Sequence, residues 1–270
     1  SGGRKGLAQS IFQVGGNAGS AMGPLLAALI VIPFGQVSIG WFALAALLAI
    51  FILVKIGHWY RRQLAAAARK SAVAAVTAAH GLSKRKIRTA FVILGVLVFS
   101  KYFYIASMTN YFTFFLMDKF AVSVQGAQYC LFAFLAASAA GTFIGGPLGD
   151  RIGRKYVIWG SILGAAPFTL MLPYVGLVWT IALAVVIGLV ISSAFSAILV
   201  YATDLMPGKV GMIAGVFFGL MFGLGGLGSA FFGWLADRTS IGFVFRISTL
   251  LPLLGVITGF LPDVESRKVR

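Results

Sequence analysis

Acidic residues and cysteine are scarce in this chain. Asp and Glu together number 6 in 270 residues, against 22 Lys and Arg, and Cys130 is the single cysteine. One cysteine cannot form an intramolecular disulfide or a cysteine-based metal cluster. A membrane-embedded enzyme would need a nucleophile paired with a base, or a carboxylate cluster, and neither is visible. The sequence therefore predicts no catalytic residue, no metal and no cofactor.

Charged residues are also few, and apolar ones dominate. The chain is 60% hydrophobic and 10% charged, with a mean hydropathy of +0.97, which is more apolar than a soluble domain. A membrane-spanning helix needs roughly 20 apolar residues. Eight segments qualify: A (7–33), B (38–56), C (89–115), D (124–147), E (156–172), F (178–201), G (212–235) and H (245–261). We expect an all-α membrane protein, a polytopic bundle of eight transmembrane helices.

The net charge of +16 has a topological explanation. Of the 22 basic residues, 18 fall in alternate loops, 3 lie on the opposite side, and Lys101 lies inside segment C. Such a bias places the start of A, the B–C, D–E and F–G loops and the C-terminal tail in the cytoplasm. Because neither an aromatic-basic motif nor a soluble domain accompanies the charge, nucleic acid is not an expected partner. The expected partner is the lipid bilayer.

The segments divide unevenly about one long basic connection. The expected units are two helices in 1–56, a cytoplasmic linker in 57–88, a six-helix bundle in 89–261 and a tail in 262–270. The motif GGNAGSA at 15–21 resembles LGGLGSA at 224–230, so A and B correspond to G and H. This similarity predicts two related six-helix halves, with the first four helices missing from this chain.

Small residues recur at every fourth position in three segments, a spacing that lets membrane helices approach closely. The series are Gly15, Gly19, Gly23 and Ala27 in A; Ala133, Ala137, Gly141, Gly145 and Gly149 in D; and Gly211, Gly215, Gly219 and Gly223 in G.

The connection between D and E reads GPLGDRIGRK and carries the most specific motif of the chain. Its glycines let two helix ends approach, and Asp150 can accept hydrogen bonds from the free amides at the start of E. A charge network at this turn can hold one conformation closed and break when the halves move. The predicted gating residues are Gly146, Gly149, Asp150, Arg151, Gly153, Arg154 and Lys155, with Asp204 of the TDLMPGK turn as a second gate.

This decapeptide matches GxxxDRxGRK, the signature of the major facilitator superfamily. Longer stretches resemble the fosmidomycin resistance protein family, among them FSKYFYIASMTNYFTFFLMDKF and GTFIGGPLGDRIGRKYVIWGSILGAAPFTLMLPY. The resemblance implies helices five to twelve of a twelve-helix, proton-driven drug efflux pump in the bacterial inner membrane. The missing first four helices are then a required partner, and we expect no transport by this fragment alone.

Lys101 is the most costly residue to place in a membrane, since it lies 12 to 14 residues from either end of segment C. At about 100° per residue, one helix face carries Ser100, Lys101, Tyr104, Ser107 and Tyr111, and we expect it to line an aqueous path. Lys101 would attract a small anionic substrate, such as a phosphonate, and Tyr104 would donate a hydrogen bond. A structural lysine paired with an acid in the missing helices is the alternative.

A second polar stripe runs along segment A, where Gln9, Gln13 and Asn17 recur every fourth residue. Their amides suit either the binding of a polar substrate or hydrogen bonding between helices, and the sequence favours neither use.

Proton coupling has no evident carboxylate. All six acids fall in loops or at segment ends, so a coupling acid is expected in the missing helices, although a buried lysine could also exchange the proton. Alternating access with proton-driven export is the predicted mechanism. An importer of organic anions or sugar phosphates on the same fold, and a transport-inactive membrane scaffold or sensor, are the alternatives.

Overall fold

A computed structural model describes residues 5–70, 83–206 and 208–262. These residues form eight helices long and apolar enough to cross a membrane, and none of them is in a strand. In chain order the helices are α1 (Lys5–Phe34), α2 (Gln36–Arg62), α3 (Lys84–Phe120), α4 (Val124–Ile152), α5 (Arg154–Tyr174), α6 (Leu177–Leu205), α7 (Val210–Arg238) and α8 (Ile241–Phe260). Segments A to H each coincide with one helix, so the predicted all-α class and its eight spans are confirmed.

Several helices extend beyond the segments that hydropathy marks. Helix α3 continues five residues past each end of segment C. It begins after Ser83, whose hydroxyl accepts a hydrogen bond from the Lys86 amide at 3.4 Å, and it ends at Ala121 in the left-handed region with φ 53°. Hydropathy detects the part suited to hydrocarbon, whereas the backbone hydrogen bonds continue into the polar flanks.

The predicted linker, residues 57–88, is helical over 57–70 and 84–88. The α-helical part of α2 covers Phe42–Lys70, and α3 begins at Lys84. Residues 71–82 lie outside the described residues, as do 263–270 of the predicted tail. The connection between α2 and α3 therefore begins as an extension of a membrane helix.

Two clusters of buried apolar side chains are stacked along α3. Residues 90–98 pack against the start of α5, the end of α6 and the start of α7. Residues 104–116 pack against α4, the first half of α6 and α8. The turn between the clusters contains two polar residues, Ser100 and Lys101, both buried. A lysine thus lies at the boundary of two apolar clusters.

Charged side chains join several helix ends on one side of the bundle, which we call the basic end. Lys5 at the start of α1 contacts Asp204 at the end of α6, and Arg154 at the start of α5 contacts Asp150 at the end of α4. These are ends that the charge bias assigns to the same side of the membrane.

Helix α1 packs along α4 and is hydrogen-bonded to it near both ends. At the basic end Gly6 lies against Gly146. Toward the other end, α1 contains a π-helical turn, Ala27–Val31, and the side-chain amide of Gln125 in α4 donates to the carbonyl of Ala28 at 2.9 Å. Since a π turn changes the backbone hydrogen-bonding pattern, a side-chain donor from a neighbouring helix stabilises it.

The glycine series behave differently from one another. In α4, a Cβ on Gly141 or Gly145 would overlap the carbonyl groups of Leu189 or Ser193 in α6, so the predicted close approach is confirmed there. The glycines of the α1 and α7 series have no such neighbour in the described part of the chain. A Cβ would meet nothing within 4 Å at any of these positions, which are Gly15, Gly19, Gly23, Gly211, Gly215, Gly219 and Gly223.

The Gly141→Ala substitution is expected to lower the Tm of the purified protein, because the new methyl group must push α4 away from a rigid backbone carbonyl. Overpacking of this kind costs about 1–3 kcal/mol. The matched control is Gly149→Ala, where the nearest atom to a Cβ, on Ala197, lies at an ordinary 3.7 Å. Thermal unfolding in detergent, followed by tryptophan fluorescence, measures both. Equal shifts would contradict the close α4–α6 contact.

Candidate functional site

A cavity of about 510 Å³ lies between α1, α3, α4, α6 and α7. Its volume is in the range of small-molecule binding sites. The polar side chains in its wall are Gln13, Asn17, Ser20, Lys101, Tyr102, Thr109, Asn110, Ser138, Thr142, Ser192 and Ser229. No carboxylate is among its lining residues in the described part of the chain.

Lys101 contributes the positive charge of this wall. Its side chain is buried, with 2% exposure, and within the described residues it forms no hydrogen bond and no ion pair. Its ammonium nitrogen instead lies 5.3 Å from the ring centroid of Tyr102 and 5.5 Å from that of Phe195. Cation–π attraction offsets part of the cost of removing an ammonium from water. An anion entering the cavity would meet a positive charge that no acid among the described residues neutralises.

Tyr104 does not line the cavity, so the predicted face of α3 is wrong in this respect. Its side chain is fully buried in the apolar cluster of residues 104–116, and its hydroxyl has no hydrogen-bond partner among the described residues. Tyr102 lines the cavity in its place, together with Thr109 and Asn110 on the same side of the helix.

The physical reason is that the serine hydroxyl groups of the predicted face bond to α8, so this face of α3 turns toward a helix and not toward the cavity. Ser100 donates to the carbonyl of Leu251 at 2.6 Å, and Ser107 donates to the hydroxyl of Ser248 at 3.0 Å, both toward α8. Within a membrane such groups need internal partners, so a polar stripe need not face water. Lys101 lies at the edge shared by this stripe and the cavity.

The polar stripe of α1 is divided between two environments. Gln13 and Asn17 line the cavity as part of its α1 wall. The Asn17 amide also donates to the hydroxyl of Thr142 in α4 at 2.7 Å, which is the interhelical use that the sequence left open. Gln9 is not a lining residue, and its amide nitrogen is buried with no partner in the described ranges.

Asp150 binds the start of α1, not the start of segment E as the sequence suggested. Its two carboxylate oxygens accept hydrogen bonds from the amides of Gly6 and Leu7, each at 3.1 Å. The first amides of a helix lack intrahelical acceptors and carry partial positive charge, so a carboxylate stabilises them. The sequence identified the acceptor correctly but attributed it to the wrong helix.

Arg154 and Asp204 form a buried ion pair next to Asp150. Arg154 also lies 3.5 Å from a carboxylate oxygen of Asp150, and the ammonium of Lys5 lies 2.9 Å from Asp204. We call these four residues the latch, because they connect α1 to α4, α5 and α6 at the basic end. Lys5 was missed as a site residue, since nothing in its local sequence indicates a contact 199 positions away.

The remaining predicted gating residues have other positions. Gly146 permits the approach of Gly6, and Gly153 adopts φ 100° between α4 and α5. Lys155 donates to the carbonyls of Gly259 and Leu261, at 3.2 and 2.5 Å, at the end of α8. Arg151 is exposed and does not belong to the latch. A Cβ on Gly149 would lie 3.7 Å from the Cβ of Ala197, an ordinary van der Waals distance.

Comparison with known proteins gives consistent matches. Residues 99–270 match the Major Facilitator Superfamily. The chain is 59% identical over 263 residues to the fosmidomycin resistance protein of Escherichia coli (strain K12), covering 97% of this chain and 64% of that protein. It is 42% identical over 260 residues to the uncharacterized MFS-type transporter YfnC of Bacillus subtilis (strain 168), covering 96% and 64%. The chain therefore spans 64% of the length of these two curated relatives.

The Asp150→Ala substitution is expected to loosen α1 at the basic end, because two amides lose their acceptor. Loss of a helix cap costs about 0.5–2 kcal/mol, so labelling of a buried cysteine there should become about 2- to 30-fold faster. The reporter is Ser10→Cys in a Cys130→Ser background, since Ser10 is buried and bonds Ser196 in α6. Water-soluble maleimide measures the rate. An unchanged rate would contradict the latch, and Asp118→Ala, at the opposite end of the bundle, is the control.

Proposed function

Since the chain belongs to the major facilitator superfamily, we propose that this transporter moves a small anionic solute by alternating access. The observation that carries the proposal is the position of Lys101 in the wall of a cavity with no lining carboxylate among the described residues. Two helical bundles would rock about this site and expose it first to one side of the membrane and then to the other.

Electrostatics selects the class of solute. A buried ammonium without an acidic partner is costly, and an anion in the cavity would offset that cost with a charge-assisted hydrogen bond. A cation would be repelled, and a neutral solute would leave the charge uncompensated. The hydroxyl and amide groups of Asn110 and Ser192 are placed to orient the rest of the solute.

The substrate and direction are proposed from similarity. Because the E. coli relative is named for fosmidomycin resistance, we propose export of small anionic drugs such as fosmidomycin from the cytoplasm across the bacterial inner membrane. Protons entering the cell would drive this export. The proposed orientation places the basic end and the C-terminus in the cytoplasm.

The latch supplies the conformational step. In this proposal, the hydrogen bonds of Asp150 to the amides of α1 and the Arg154–Asp204 ion pair hold the basic end closed. Opening it requires separating these groups, and hydration of the newly exposed charges would offset the cost of breaking their hydrogen bonds and ion pairs. The latch thus acts as a gate and not as a part of the substrate site.

Substitution of Lys101 tests the anion site. Lys101→Met is expected to weaken substrate affinity about 10- to 100-fold, which corresponds to the loss of a hydrogen bond to a charged group. Lys101→Arg should retain part of the wild-type affinity. Because this chain alone is not expected to transport, each variant is expressed together with the four helices expected to precede it, and the concentration dependence of fosmidomycin efflux from those cells measures the effect. Lys84→Met, an exposed lysine at the start of the same helix, is the control. Unaltered efflux in both Lys101 variants would remove this residue from the mechanism.

An uncoupler separates export from import. Collapse of the proton gradient is expected to raise the accumulation of fosmidomycin in cells that express the chain together with the four helices expected to precede it, because proton-driven export stops while passive entry continues. Intracellular drug, measured by mass spectrometry with and without the uncoupler, gives the result. Lower accumulation after uncoupling would instead indicate an importer of the same fold. Cells without the protein provide the baseline.

A further inference from the structure

A second concave site of about 230 Å³ lies between α4, α5 and α6, outside the central cavity. Its walls are mostly apolar and partly exposed, with Ile144, Leu148 and Ile152 from α4 and Leu189 from α6. We call it the groove. Within the described ranges, the groove and the cavity that contains Lys101 share helices α4 and α6 but no lining residue.

The groove faces away from α1. The α4 residues that contact α1 include Thr142 and Gly146, whereas those lining the groove include Ile144 and Leu148. At about 100° per residue, the centres of these two sets lie on roughly opposite sides of α4. Helices that pack on the α1 side of α4 would therefore leave the groove open to the surrounding lipid.

The length of the groove matches one leaflet of a bilayer. Along α4 it runs from Gly141 to Ile152 at the basic end, which is about 16 Å at 1.5 Å per residue. Half of the hydrocarbon core of a bilayer is about 15 Å thick. An acyl chain that enters at the basic end would therefore reach the inner end of the groove near the bilayer centre.

The walls suit an apolar occupant. Ser161 and Ser193, which line the groove, hydrogen-bond to each other, and Ser193 also donates to the carbonyl of Val190, so their hydroxyls need no further partner. Gly160 provides a recess, because a Cβ there would meet nothing within 4 Å. An acyl chain would cover apolar side chains without burying an unpaired polar group.

The mouth of the groove is positively charged. Arg151 is exposed in the last turn of α4 and forms no ion pair within the described residues. On the helix it lies about 60° from Leu148, on the side of the groove. Tyr156, 64% exposed in the first turn of α5, lies at the same end, where aromatic side chains meet lipid headgroups.

We propose that the groove binds one acyl chain of an anionic phospholipid whose phosphate pairs with Arg151. Arginine suits this role because its guanidinium binds phosphate with two parallel hydrogen bonds. The site is independent of the proposed substrate and of transport direction, and it requires only that α4, α5 and α6 span the bilayer.

Two pairs of variants test the site, with phosphatidylglycerol and phosphatidylcholine of identical acyl chains as probes. Native mass spectrometry of the purified protein counts the lipid retained. The wild-type protein is expected to retain phosphatidylglycerol about fivefold better than phosphatidylcholine, which is the effect of one basic residue near an anionic headgroup. Arg151→Gln is expected to lose this preference. Gly160→Leu fills the recess and should reduce retention of both lipids.

The controls are chosen to match in chemistry. Arg88→Gln removes another exposed arginine near the basic end, and Gly95→Leu adds leucine at another glycine with no neighbour within 4 Å; both should behave as wild type. An unchanged phosphatidylglycerol preference in Arg151→Gln, or full retention in Gly160→Leu, would overturn the proposal. The new side chain of Gly160→Leu meets open space, so this variant is expected to fold normally. An unchanged Tm confirms that it does.

Discussion

The contact between α1 and α4 supports the remainder of the arrangement. At its basic end, the carboxylate of Asp150 binds the first amides of α1, and Gly146 lets the two backbones approach. Without this contact, α1 would lose most of its connection to helices α3–α8, and the central cavity would lose the wall that contains Gln13 and Asn17. A carboxylate that accepts hydrogen bonds from the first amides of a neighbouring helix fixes the relative position of the two helix ends.

Lys101 shows how a bundle of this kind contains a charge. The two apolar clusters on α3 end on either side of it, and the intervening turn also contains the buried Ser100. The rings of Tyr102 and Phe195 face the ammonium, so it is held without a fixed counter-ion in the described residues. A permanent acidic partner would stabilise the lysine more strongly, but it would also cancel the attraction for a mobile anion. In the proposed function, the arrangement lowers the stability of the buried charge and leaves it able to bind an anion.

The sequence predicted the parts of this structure that depend on local composition. Eight helices followed from the length of apolar segments, and the grouping of helix ends followed from the placement of basic residues. The motif at Gly146–Lys155 indicated where charges would gather. The face of α3 was not predictable from polarity, because the hydroxyls of Ser100 and Ser107 are satisfied by α8 as readily as by water. The partner of Asp150 and the role of Lys5 depend on contacts between distant parts of the chain, which a local pattern does not encode.

The hydrogen bonds that hold α1 on α4 have an asymmetry that bears on how such proteins diverge. Near each end, α4 contributes a side chain, Asp150 or Gln125, whereas α1 contributes backbone groups, the amide of Leu7 or the carbonyl of Ala28. Every amino acid except proline supplies both backbone groups. Substitution of the partly exposed Leu7 in α1 should therefore have little effect on its bond, whereas substitution of Asp150 or Gln125 in α4 removes a bond. Relatives should differ more freely on one side of this helix pair than on the other.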